Sequence, residues 1–76
     1  MDKERQQEVK RRFGTRLRAL RKARKLSQDA VGLKSGLDPS YVGQIERGES
    51  NLSLVNIHRI AEALEVVAGE LLMKGG

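Results

Sequence analysis

The chain has no cysteine and no tryptophan, and only one proline, one phenylalanine and one tyrosine in 76 residues. Without cysteine there is no disulfide framework and no thiolate metal centre, and the redox compartment cannot be inferred. Nor does any other residue cluster have metal-ligand spacing, so a chain this short must be held by packing, helped where needed by a partner subunit. Strand signals are lacking: aromatics are few, no period-2 run persists, and Val66-Val67 is too short. No apolar run approaches membrane-spanning length, and the N-terminus is charged rather than built like a signal peptide. A cytoplasmic, nucleoid-associated protein is the expectation. No nucleophile–base set and no phosphate-binding glycine loop is evident, which argues against an enzyme and leaves no role for a metal, cofactor or small-molecule ligand.

One further absence turns into a feature. No acid occurs between Glu8 and Asp29, yet Lys10, Arg11, Arg12, Arg16, Arg18, Arg21, Lys22, Arg24 and Lys25 all fall there. With a net charge of +5 and a pI near 10.1, this run suggests a polyanionic partner. A solvated helix face is the plainer reading. A membrane-surface helix would want bulky apolar anchors, and Phe13 is the only aromatic in the segment.

Apolar residues at Val9, Phe13, Leu17 and Leu20 form one stripe of an amphipathic first helix, starting between Lys3 and Glu8 and ending near Arg24. The most telling segment follows. Ser27 with acidic Asp29, and Asp38-Pro39, are two helix-start signals, with Gly36 at a tight corner between them. Small or apolar residues at Val31, Gly32, Leu37, Val42 and Ile45 complete two short helices, Ser27 to about Ser35 and Asp38 to about Arg47. This is the pattern of a helix-turn-helix, which places its second helix in the DNA major groove. Ser53 caps a fourth helix with Leu54, Ile57, Ile60, Ala61 and Leu64 on one face. A short fifth helix from Val67 to about Met73 returns Leu71 and Leu72 to the core. The expected organisation is a disordered or frayed arm over 1–8, an all-α five-helix domain over 9–73, and a flexible tail over 74–76.

Leu26-Ser27-Gln28, Gly36, Ile45-Glu46-Arg47-Gly48 and Ile60-Ala61-Glu62-Ala63-Leu64 together resemble the Cro and phage-repressor-like family of helix-turn-helix transcription regulators. The resemblance runs from about Phe13 to Leu72 and implies a lambda-repressor-like fold. Within that family, Leu37 to Gly43 and Asn51-Leu52-Ser53-Leu54 look like the small controller proteins of restriction–modification systems.

On this reading Val42 and Ile45 point inward, while Pro39, Ser40, Tyr41, Gly43 and Gln44 point outward. Ser40, Tyr41 and Gln44 are the candidate base contacts, and Gln44 can pair with adenine through both amide atoms. Tyr41 could instead be a half-buried packing residue. Gln28, at the start of the second helix, is implied by the resemblance to contact the DNA backbone. Arg47, Asn51 and Ser53 in the following loop are further backbone candidates, with Arg16 and Ser27 completing the set. Arg21 and Glu46 match a partly buried ion pair of phage-repressor-like domains, although Arg21 could also be one more phosphate contact. His58 reads as a surface residue. Leu54, Ile57, Val67, Leu71 and Leu72 are the expected homodimer interface.

The chain also departs from the family pattern. Pro39 offers no donor, Gly43 no side chain, Glu49 sits beside the expected phosphate strand, and Ser50 stands where relatives are often basic. Glu65 replaces a helix-ending glycine, and Val67 a capping serine. The expected function is a sequence-specific regulator that binds a pseudo-palindromic operator on double-stranded DNA, with RNA polymerase as a further candidate partner. Antitoxin-type protein interaction and non-specific nucleic-acid binding are the competing readings.

Overall fold

The computed structural model describes residues 1–73, so the expected 74–76 tail lies outside the described residues. Five helices follow one another: α1 Lys3–Ala23, α2 Gln28–Ser35, α3 Pro39–Glu46, α4 Leu54–Leu64 and α5 Ala68–Leu72. No strand occurs among the described residues, and no helix is long and apolar enough to cross a membrane.

The helix starts have the chemistry that their sequences imply. Ser27 Oγ accepts from the Ala30 amide, Asp38 Oδ1 from the Ser40 amide, and Ser53 Oγ from the Asn56 amide. Each satisfies one of the amides that a first turn leaves without an intrahelical partner. Pro39 occupies the first turn of α3, where its missing N–H costs nothing. Val67 provides no such bond, and α5 is only five residues long.

α1 to α4 end alike, in a residue with left-handed backbone followed by an amide that reaches back one turn. The Leu26, Leu37, Glu49 and Val66 amides donate to the Arg21, Gly32, Gln44 and Ala61 carbonyls. The left-handed position is Gly36 and Gly48 in two cases, but Lys25 and Glu65, both at φ 57°, in the others.

These short helices close around Phe13, Leu17 and Leu20 of α1, Val31 of α2, Val42 and Ile45 of α3, Ile60, Ala61 and Leu64 of α4, and Leu71 of α5. α1 and α3 cross at Gly14, where a Cβ would overlap the Ile45 carbonyl oxygen and lie 2.6 Å from that of Glu46. α2 meets the start of α3 at Gly32, whose added Cβ would lie 2.7 Å from the Leu37 carbonyl oxygen. Bare backbone at these two points seats α3 against both helices.

Residues 3–8 form the first turns of α1, within the expected range for its start: Asp2 caps the helix, and Gln7 Nε2 donates to the Gly48 carbonyl at 2.8 Å. Leu54, on the apolar stripe of α4, is 71% exposed. One expectation is corrected. Leu72 does not return to the core. It is 56% exposed, while its neighbour Leu71 is fully buried.

Candidate nucleic-acid interface

α3 is anchored by Val42 and Ile45, which are buried, and by Glu46, whose carboxylate reaches across to α1. Arg21 Nε donates to Glu46 Oε2 at 2.6 Å and Arg21 Nη2 to Oε1 at 3.0 Å, a two-point pair that fixes direction as well as distance. Side-chain exposures of 11% and 4% put the pair inside the protein. The hydrogen bond that Arg21 donates to Glu46 raises the Arg21 pKa above its ordinary value. Arg21 Nη1 also donates to the Leu26 carbonyl, tying the α1–α2 turn to the same centre.

Gln28 joins this centre by donating from Nε2 to Glu46 Oε1 at 3.1 Å. One amide hydrogen is thereby committed to the protein, and the other remains for an outside acceptor. The opposite side of the amide faces Gly43: a Cβ there would lie 3.4 Å from Gln28 Oε1 and 3.2 Å from Arg47 Nη1. Gly43 was expected to point outward, yet it is buried, because Gln28 and the Arg47 guanidinium lie over it. The N-terminus of α2, the middle of α3 and the residue after α3 thus meet on one surface.

The expected reading residues stand as follows. Gln44 is exposed, and its Oε1 accepts from Ser50 Oγ at 3.4 Å, which brings the α3–α4 loop alongside. Ser40 is exposed, but its hydroxyl donates to Asp38 Oδ1 at 2.7 Å, so it meets another group mainly as an acceptor. The bonds from Ser40 hold the Asp38 carboxyl below its usual range. Tyr41 is half-buried and packs on the core, in line with the packing alternative.

Of the expected backbone contacts, Ser27 and Ser53 use their side chains as helix caps, and Asn51 is exposed. Arg47 is exposed but already paired: its Nε donates to Glu49 Oε2 at 2.9 Å and its Nη2 to Oε1 at 3.2 Å. Arg16 Nε donates to the Glu70 carbonyl at 2.9 Å, which ties it to α5. Arg11, Arg18 and Lys22 share the side of α1 that carries Gly14 and Arg21 at helical spacing. Arg11 backbone atoms lie 3.0–3.2 Å from where a Gly48 Cβ would stand. Among the expected dimer residues, Leu54, Val67 and Leu72 are exposed and Ile57 is half-buried. Leu71, fully buried in its own core, has no surface to offer a partner.

Sequence reasoning missed the seat at Gly43, the Gln28–Glu46 bond and the Gln7–Gly48 bond. Only the opposite charges of Arg47 and Glu49, two residues apart, left a trace. Among the described residues, no three His, Cys, Asp or Glu side chains gather as metal ligands.

The family model HTH_3, described as helix-turn-helix, matches residues 17–71. The control protein C.MunI from Mycoplasma is 40% identical over 65 residues, covering 84% of this chain and 88% of that protein. The control protein C.BamHI from Bacillus amyloliquefaciens is 38% identical over 61 residues, covering 79% and 75%. The solved structure of the restriction–modification controller protein C.AhdI from Aeromonas hydrophila is 54% identical, with a TM-score of 0.79 over 80% of this chain and 92% of that one. With a family match over most of its length and relatives of this identity, the chain belongs to the helix-turn-helix (HTH_3) family of DNA-binding transcription regulators.

Proposed function

We propose that this chain is a restriction–modification controller of the kind it resembles, two copies of which bind a pseudo-palindromic operator, each laying α3 in the major groove of one half-site. The observation that carries this reading is the convergence of Gln28, Gln44, Arg47 and Ser50 on the outer surface of α3, locked from behind by the Arg21–Glu46 pair. Gln44 is the one side chain there that is long, exposed and able to donate and accept together, and it serves as the principal base reader. Ser40 and Tyr41 have secondary roles. Gln28, Asn51 and Arg47, with the helix starts at Ser27 and Ser53, line the DNA backbone, and Arg11, Arg18 and Lys22 add long-range attraction.

The homodimer is supported by apolar side chains that one copy leaves exposed: Leu54 and Val55 on α4, and Val67, Leu72 and Met73 around α5. The protein acts by binding and not by catalysis, and it works where the DNA is, in the cytoplasm. A binding titration against a selected duplex and a random one, at several salt concentrations, tests the reading. Specific binding predicts a preference of at least about 10³-fold. Equal affinities with equal salt slopes would reduce the protein to a non-specific binder, and no binding to either duplex would favour a protein-interaction role.

A further inference from the structure

Arg47 and Glu49 flank Gly48, whose left-handed backbone (φ 75°) ends α3 and turns the chain back on itself. The turn brings the two side chains together in a two-point pair at 2.9 and 3.2 Å. Paired N–H groups of a guanidinium are also what a phosphate takes. The guanidinium has not swung away from the surface where DNA is read: Nη1 lies over Gly43 beside Gln28. Both side chains are more than half exposed, at 59% and 54%, so the pair is open to competition from a ligand.

We propose that Glu49 limits the affinity of this interface from within, serving Arg47 as an internal counter-ion that a DNA phosphate must displace. The inference rests on the DNA-facing role of Arg47 proposed above. A cation adds to phosphate binding by releasing a counter-ion from DNA, and one already neutralised by a carboxylate adds little. Phosphates are the same in every sequence, so the restraint falls equally on all duplexes and leaves occupancy to the base contacts. It lowers binding to every duplex alike and leaves the preference between them unchanged. The hydrogen bond from Arg47 holds the Glu49 carboxyl below its usual range, so the restraint stays charged at neutral pH and is opened by DNA, not by protons.

Duplex titrations across a salt series with wild type, Glu49→Gln, Arg47→Ala and the double variant test this. Glu49→Gln should tighten binding to a selected and a random duplex by the same factor, about 1.5- to fivefold, the range that an exposed ion pair corresponds to. Its plot of log affinity against log salt should steepen by about 0.9, the increment for one more neutralised phosphate. In the Arg47→Ala background, the same change should steepen nothing. Unchanged affinity and slope in Glu49→Gln would overturn the inference. So would a full gain that persists without Arg47, since Glu49 would then act by plain repulsion. Loss of duplex binding in every protein, wild type included, would instead overturn the DNA-binding reading, and the role of Glu49 with it.

Discussion

At the scale of single residues, Gln44 and Glu46 show how two neighbours on α3 divide the work. Gln44 is exposed and Glu46 is enclosed, so each substitution has its own readout. Gln44→Ala should leave thermal stability within about 0.5 kcal/mol of wild type, as surface changes do. It should cut the preference for a selected duplex by about 1–3 kcal/mol, the worth of a two-point base contact. Glu46→Ala should do the reverse in the first instance, because it strands the Arg21 guanidinium with only the Leu26 carbonyl as partner. Breaking a buried pair costs roughly 3–5 kcal/mol. Arg21 is partly accessible, so about 3 kcal/mol is expected, a fall in Tm of more than about 10 °C for a domain of this size. Calorimetry of the two variants beside titration separates these roles.

At the scale of elements, the helix starts were legible because each carries a chemical mark: Ser27, Asp38-Pro39 and Ser53 all stand where they cap. Two of the four left-handed helix ends were legible through Gly36 and Gly48. The end at Lys25 was not, since no local feature of a lysine marks a positive φ. The end at Glu65 was noticed only as a departure, and the structure shows the departure to be a real local cost, Glu65 being at φ 57°. Glu65→Gly should therefore stabilise the fold by about 1 kcal/mol, less the entropy that glycine loses on folding, and thermal unfolding checks the sign. The candidate site divided in the same way. Val42, Ile45 and Gln44 follow from helical spacing within α3. The burial of Gly43 and the destination of Arg16 depend on which side chain from another element arrives there, and periodicity within one helix carries no information on that.

At the scale of the whole molecule, the proposed dimer would give the exposed apolar residues around α5 and the basic side of α1 one shared purpose. A single small domain reads few bases, and pairing two doubles the contacts. α5 lacks a side-chain cap and is too short to stand alone, so it depends on burial of Leu71 and on the bond from Arg16 to the Glu70 carbonyl. Arg16 thereby helps to hold in place Leu72 and Met73, which we propose as dimer contacts. Leu72→Glu should leave the fold intact, since the side chain is over half exposed, yet shift the protein to monomer at micromolar concentration in sedimentation. A dimer that persisted unchanged would move the interface elsewhere.

The central claim is that α3 reads a specific site and that two copies read it together. Selection of bound duplexes from a random pool tests both halves at once. The account predicts enrichment of two inverted half-sites whose centres lie one helical turn apart, about 34–36 Å. A pool that remains random after repeated selection, while the protein still retains DNA, would contradict it.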